Sequence, residues 1–204
     1  MDKRVRITAI VGSYRKGGVI DQAVDELLDS ARSAGAETRK IYLTDLRIEF
    51  CTNCRLCAQQ EGAARGMCPI ADQMVEVLDQ VEASDVIVLA SPSNFATVTA
   101  LMKRFIERLL CYAYWPWGMP APKMRSRELP RRAVLVASSA APALIARLTS
   151  PLVRLLKKAA RLLGARTVGV LFIGLAARED GQLLGKGARE KARLLGKRAA
   201  ARVP

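Results

Sequence analysis

Residues 4–21 read RVRITAIVGSYRKGGVID, an apolar stretch that runs directly into a turn holding Gly12, Ser13, Arg15, Gly17 and Gly18. Val5, Ile7, Ala9, Ile10 and Val11 form a run rich in β-branched residues with a basic flank, the composition of a strand buried in a sheet. From Ile20 through Ala23, Val24, Leu27, Leu28 and Ala31 apolar residues recur at three- and four-residue steps until Gly35, which predicts an amphipathic helix. A helix that starts right after a glycine-rich turn points its free N–H groups and its positive dipole end into that turn. The turn therefore reads as a phosphate site, with Ser13 offering a hydroxyl and Arg15 and Lys16 offering charge. The alternative is a tight strand-to-helix turn with no ligand. Neither common nucleotide fingerprint is present, since the chain has no G-x-G-x-x-G and no lysine followed by Ser or Thr to close a Walker loop.

The same alternation continues outward. Glu37 to Leu43 predicts a second strand, and a helix carrying Ile70, Met74, Val77, Leu78 and Val81 runs to Ser84. Asp85 to Ser91 is a third, strongly apolar strand that ends in Ser91-Pro92-Ser93-Asn94-Phe95, followed by a helix over about Thr97 to Tyr112. After an irregular piece from Ala113 to Arg132, Ala133 to Ser138 is a fourth strand and Ser139 to Pro142 a turn of small residues. Ser150-Pro151 caps a helix that ends at Gly164, Val168 to Ile173 is the fifth strand, and a last helix begins near Gly185. Five strands alternating with helices specify an α/β, doubly wound, five-stranded parallel sheet with helices on both faces. In such sheets ligands sit beyond the carboxyl ends of the strands. Three turns are expected to converge there: Gly12 to Gly18, Ser91 to Phe95, and Ser138 to Pro142.

With 204 residues, half of them hydrophobic, the chain can bury one sizeable core, and a single domain over residues 1–204 is expected. The opening MDKRVRITAIVGS holds too short an apolar run for a signal peptide, and no stretch reaches the length of a membrane span, so the expected location is cytoplasmic. The net charge is +14, and basic residues gather late, in a loop from Lys123 to Arg132, on the helix around Lys157, and in the C-terminal segment. Such a segment could meet nucleic acid or an anionic membrane. The preferred reading is a solvated face, because the few aromatic residues cluster elsewhere and offer the charge no stacking platform, which makes nucleic acid an unlikely partner. Histidine is absent, which removes His-based acid–base catalysis, Ser-His and Cys-His nucleophiles, and imidazole metal sites.

Cys51, Cys54, Cys57 and Cys68 frame a polar loop over 51–68, three of them at three-residue steps and the fourth before Pro69. In a cytosolic chain such cysteines point to metal or redox chemistry. The spacing suits four thiolate ligands of a [4Fe-4S] cluster, a loop without metal is the second choice, and zinc the third. Cys111 falls on an apolar helix face and reads as a small buried hydrophobe. Tyr112, Tyr114, Trp115 and Trp117 could form a lid, a dimer contact or a local mini-core.

Taken together, Gly12-Ser13-x-Arg15-Lys16, the Cys-x2-Cys-x2-Cys cluster with its fourth Cys, Asp72-Gln73-Met74, Ser91-Pro92-x-Asn94-Phe95 and the run Ala100 to Arg108 resemble the flavodoxin-like NAD(P)H-dependent FMN reductases, and within them the iron-sulfur flavoproteins. The likeness runs in order from about Ile7 to Arg108. It implies non-covalent FMN, with Ser13, Arg15, Gly18, Val19 and Ile20 holding the phosphate. It also implies that Pro92, Ser93, Asn94 and Phe95 run along the isoalloxazine and that Ser138, Ser139 and Ala140 flank its other side. Cys51, Cys54, Cys57 and Cys68 would be the cluster ligands, NAD(P)H the co-substrate, and a homodimer or homotetramer the assembly. Three positions depart from the family pattern: Val19 and Ile20 stand where Asn and Ser or Thr are common, and Asn94 where Tyr is common.

The implied activity is electron transfer from a nicotinamide through FMN to a quinone, a flavin or another small acceptor. The alternative is a non-enzymatic electron carrier or redox sensor that serves a protein partner. Flavin chemistry needs stacking, orientation and stabilising dipoles, and it needs no histidine.

Overall fold

The computed structural model describes residues 4–202, so the expected unit of residues 1–204 begins and ends outside the described residues. Its main sheet contains β1 (Arg6–Val11), β2 (Glu37–Tyr42), β3 (Val86–Pro92), β6 (Arg131–Ser138) and β7 (Ala165–Ile173), all parallel and in the order β2-β1-β3-β6-β7. Ile10 lies opposite Leu89, Leu89 opposite Leu135, and Leu135 opposite Val170. This is the doubly wound parallel sheet expected from the alternation, in the flavodoxin-like form that the family resemblance implies.

Side chains on a strand point alternately to the two faces, and the core divides accordingly. Ile10, Ile87, Leu89, Ala133 and Leu135 pack against helices α2 (Met74–Glu82), α3 (Ala100–Glu107) and α5 (Leu152–Leu162). Ile7, Ala9, Val11, Val86, Val88, Val134 and Val136 face α1 (Val19–Ser33) and α6 (Lys186–Ala200). α1 and α6 touch closely enough that a Cβ on Gly196 would lie 2.1 Å from the Leu27 carbonyl oxygen.

Several boundaries differ from the sequence expectation. α3 stops at Glu107 and continues as a 3-10 turn over Arg108–Tyr112, where Arg108 turns inward and becomes 3% exposed. The stretch after the fourth strand carries a helix, α4 (Ala143–Thr149), whose Leu144, Ile145 and Leu148 face outward, so the core-facing periodicity that would announce it is missing. A two-residue hairpin, β4 (Ala113–Tyr114) with β5 (Lys123–Met124), lies within the irregular piece. β7 starts three residues before the expected Val168, and α2 begins at Met74, whose N–H donates to Asp72 Oδ1 at 3.1 Å. No helix among the described residues is long and apolar enough to cross a membrane.

Candidate functional site

The loop between β1 and α1 is braced from within. Gly17 has φ +76°, a conformation that side chains disfavour, and its N–H donates to Asp21 Oδ2 at 2.6 Å. Asp21 is buried in the first turn of α1 and forms an ion pair with Lys40 on β2; Lys40 Nζ also reaches Asp25 Oδ1 at 2.7 Å. Burial works to raise the Asp21 carboxyl, but hydrogen bonds from Lys40 and the Gly17 amide outweigh it and hold the group below the usual carboxylate range. Burial likewise works to lower Lys40, and its bonds to Asp21 and Asp25 carry it upward instead. Ser13 Oγ accepts the Arg15 N–H at 3.2 Å. Lys16, expected to offer charge to the site, lines the cavity enclosed by the three turns while its ammonium lies 2.7 Å from Asp45 Oδ1 and over the Tyr42 ring. The Arg15 guanidinium is exposed and has no partner among the described residues. No side chain caps the N-terminus of α1, so its first N–H groups stay available to a ligand.

The second and third turns are tied to the first. Gly12 N–H donates to the Ala90 carbonyl at 2.8 Å, and Ser93 N–H donates to the Ser138 carbonyl at 2.7 Å. Thr99 caps α3 by accepting the Met102 N–H at 3.1 Å, while its own hydroxyl donates to the Gly12 carbonyl at 2.5 Å. Together the turns enclose a cavity of about 580 Å³ at the carboxyl edge of the sheet. Ser13, Arg15, Gly18, Val19, Ile20, Pro92, Ser93, Asn94, Ser138, Ser139 and Ala140 all line it. Phe95 does not. Asn94 and Thr97 close a tight turn whose tip residues, Phe95 and Ala96, take φ +46° and +63°, and the Phe95 ring is fully exposed outside the cavity.

A fourth segment, which sequence reasoning missed, completes the wall. Ala176, Ala177, Glu179, Asp180, Gly181 and Gln182 follow β7 and face the same space. Gln22 on α1 holds the segment: its Nε2 donates to the carbonyls of Gly17 (2.8 Å) and Gln182 (3.0 Å), and its Oε1 accepts the Leu184 N–H at 2.8 Å. The available signal was positional, because this loop also leaves the carboxyl end of a strand.

The cysteine loop is anchored by three arginines. Arg108 Nη2 donates to Asp72 Oδ1 at 3.1 Å and to Cys68 Sγ at 3.6 Å, and Nη1 donates to Asp72 Oδ2 and to the Glu49 carbonyl. Arg125 donates to the carbonyls of Cys57, Gly62 and Cys111. The Arg55 guanidinium stacks 3.3 Å from the Trp115 ring centroid and 4.7 Å from that of Trp117. The aromatic loop thus packs on Arg55, Ala58 and Gln59 of the cysteine loop and contributes no residue to the cavity, which favours the mini-core over the lid. Cys57 is buried, and burial, followed by the charges of Cys68, Cys51 and Cys54, pushes its thiol up to about 11. Cys111 is pushed up to about 12, chiefly by burial, as expected of an inert core thiol.

The model for the NADPH-dependent FMN reductases matches residues 5–176. This chain belongs to that family. It is 37% identical over 112 residues to an iron-sulfur flavoprotein of Archaeoglobus fulgidus, covering 55% of this chain and 49% of the relative. A second iron-sulfur flavoprotein, from Methanocaldococcus jannaschii, is 33% identical over 104 residues, 51% of each chain. The identities support the iron-sulfur flavoprotein branch of the family, and the chain spans about half the length of these curated relatives. Among solved structures, an FMN-dependent NADH-azoreductase from Bacillus anthracis in complex with FMN superposes with a TM-score of 0.70 at 14% identity, over 97% of this chain and 99% of that one. The NAD(P)H:quinone oxidoreductase of Methanothermobacter marburgensis gives 0.67 at 16% identity, over 97% and 98%. At such identities the likeness speaks for the fold.

The family's cofactor fits the cavity: uncapped N–H groups and the unpartnered Arg15 suit a phosphate, while Val19, Ile20, Pro92 and Ala140 supply apolar wall. At the cysteine loop the donor set is sulfur alone, and all four thiols lie near enough for Cys57 to feel the other three. Among the described residues no three His, Cys, Asp or Glu side chains form a group able to hold a metal ion. The donor chemistry suits a thiolate-ligated centre, while the placement of the side chains in this structure does not form one.

Proposed function

We propose that this protein is a cytosolic FMN-dependent NAD(P)H oxidoreductase that passes electrons to a quinone, a flavin or another small acceptor. The observation that carries the reading is the meeting of three loops, from β1, β3 and β6, in one cavity above the uncapped start of α1. Held there, FMN would supply the hydride-accepting and electron-passing chemistry. Ser13, Arg15 and the N–H groups of Gly18, Val19 and Ile20 hold the phosphate. Because Val19 and Ile20 have no polar side-chain group to offer, Arg15 and the backbone do most of that work. Pro92, Ser93 and Asn94 form one wall for the ring, and Ser138 to Ala140 form the other. The outward Leu144, Ile145 and Leu148 of α4, with Phe95, support a homodimer or homotetramer through this face.

The test is the visible spectrum of protein purified without oxygen, followed by nicotinamide oxidation. Flavin bands and acceptor-dependent consumption of NADH or NADPH are expected. A colourless protein that cannot be reconstituted with FMN would overturn the reading. In Arg15→Ala, loss of one exposed charge-assisted contact should weaken FMN binding by about tenfold, roughly 1.4 kcal/mol, in a fluorescence titration. Unchanged affinity would place the phosphate elsewhere.

A second reading is favoured by the separately anchored cysteine loop, which hydride transfer to a flavin does not require. In it, Cys51, Cys54, Cys57 and Cys68 hold a [4Fe-4S] cluster and the protein serves as a single-electron carrier or redox sensor. Flavin-loaded protein that oxidises neither nicotinamide with any common acceptor would select it.

A further inference from the structure

Gln22 lies in the first turn of α1, and its amide uses both donors and its oxygen at once. Nε2 donates to the carbonyls of Gly17 at 2.8 Å and Gln182 at 3.0 Å, while Oε1 accepts the Leu184 N–H at 2.8 Å. Gly17 is thereby held from both sides, its N–H by Asp21 and its carbonyl by Gln22. The chain from Leu175 to Leu184 is tied at its other end to the third turn: Leu175 N–H donates to the Ala141 carbonyl at 3.1 Å, and Ala176 N–H to the Ser139 carbonyl at 3.0 Å. Between these ends it keeps its shape through Gln182, whose Nε2 donates to the Leu175 carbonyl and whose Oε1 accepts the Arg178 N–H, both at 2.9 Å. Ala177, Arg178, Glu179 and Asp180 are exposed at its crest. Little burial holds this strap down, so a few hydrogen bonds decide whether it stays closed. The strap bridges the proposed phosphate loop and the turn proposed to flank the ring.

We infer that Gln22 is a positioning residue that makes the strap from Leu175 to Leu184 part of the flavin site, so that FMN binding at the phosphate loop and closure of the strap are one coupled event. This rests on the reading of the cavity as the FMN site. A ligand that orders Gly17 orders the carbonyl that Gln22 holds, and the same amide carries that order to Gln182 and Leu184. In return, the closed strap supplies Ala176, Ala177 and Gln182 as wall to the cavity. Coupling of this kind is reciprocal, so the factor by which the closed strap tightens FMN equals the factor by which FMN suppresses opening of the strap.

The experiment follows amide hydrogen exchange across residues 12–20 and 174–185 in the full chain, without FMN and with FMN at saturation, alongside FMN affinity by fluorescence titration. It compares the unsubstituted protein with Gln22→Met and Gln182→Met. Methionine matches glutamine in length and helix preference but offers no amide. In the unsubstituted protein FMN should slow exchange about tenfold in both stretches. In Gln22→Met the protection of 12–20 should remain, while exchange over 174–185 returns to within about twofold of the FMN-free protein and FMN binds about tenfold more weakly. Trypsin cleavage after Arg178 should follow the same pattern. Gln182→Met, which removes the strap's own staple and leaves the Gln22 side chain in place, should weaken FMN in the same direction, and it decides the matter if Gln22→Met does not fold. FMN that protects 12–20 but not 174–185 in the unsubstituted protein, undiminished protection of 174–185 in Gln22→Met, or unchanged FMN affinity in the folded variants overturns the coupling and leaves the flavin site standing. Failure of the unsubstituted protein to bind FMN overturns the flavin reading itself, and the coupling with it.

Discussion

Asp21→Asn is expected to destabilise the protein by about 2–3 kcal/mol and to loosen FMN without touching it. Breaking a buried ion pair from one side costs about 3–5 kcal/mol. Lys40 keeps Asp25 as a partner at 2.7 Å, which moves the expected loss below the top of that range. Asparagine keeps one acceptor oxygen in place of two, so it cannot serve both Lys40 and the Gly17 N–H, the bond that fixes the left-handed corner of the proposed phosphate loop. FMN affinity should therefore fall several-fold even though Asp21 lies behind the loop.

The pH dependence has a definite sign. Asp21 is held below its ordinary value of 3.8 in the folded protein, so its contribution is fully present above that value and is lost as pH falls through the depressed one. Lys40 is held above its ordinary 10.5, so its contribution is complete below that value and is lost only beyond it. Denaturant midpoints of the parent and Asp21→Asn should stay a constant distance apart between about pH 5 and pH 9 and converge below about pH 4. A gap that closes between pH 5 and 7 would mean that a different group controls the loop.

Asp21 also marks where sequence reading runs out. The β1 strand, the helix after it and the three turns were legible because buried strands and amphipathic helices carry strong periodicities, and because parallel connections leave few topologies open. An acidic residue in the first turn of a helix is unremarkable in sequence, since the helix dipole alone explains it. Its partner is known only once β2 lies beside β1. The segment from Ala176 to Gln182 was hidden for the same reason, since Gln22 reaches it across about 160 positions of chain. The resemblance runs Phe95 along the isoalloxazine with Pro92 to Asn94, whereas the paired left-handed residues Phe95 and Ala96 turn the chain tip outward. α4 was missed because its large apolar residues face solvent.

Part of the basic excess also takes on a meaning that composition hides. Arg131 donates to the Glu82 carbonyl at 2.7 Å, where α2 ends, and Arg132 donates to the Ala201 carbonyl at 2.8 Å, where α6 ends on the other face. Two adjacent arginines at the start of β6 thus satisfy helix carbonyls on both sides of the sheet, favourably placed for the negative ends of the helix dipoles. On α5, by contrast, Arg154, Lys157, Lys158 and Arg161 are exposed while Leu152, Leu156, Ala159 and Ala160 are buried, as the solvated-face reading expects.

On the reading of the cysteine loop as a metal site, Gly66→Ala should abolish metal uptake while leaving the proposed FMN cavity intact. Gly66 has no left-handed φ to protect, so the need for glycine there is one of space. A Cβ at this position would lie 1.7 Å from the Cys57 carbonyl oxygen, 2.8 Å from its carbonyl carbon and 2.9 Å from Arg125 Nη2. The first two are backbone atoms, so the clash cannot be relieved by a rotamer change, and either strand of the loop must move. Moving Gly66 breaks its N–H bond to the Cys111 carbonyl at 2.8 Å; moving Cys57 breaks the Arg125 bond to its carbonyl at 2.9 Å. Overpacking a tight site costs about 1–3 kcal/mol, and the loss of one of these bonds adds about 1 kcal/mol. Because Cys57 is one of the four proposed ligands and Cys68 lies two residues beyond Gly66, the displacement falls on both at once. Cobalt uptake should therefore drop at least tenfold, while flavin binding stays within about twofold of the parent because no residue of 57–68 lines the cavity. Equal loss of flavin and metal would show that the loop and the cavity fold as one unit.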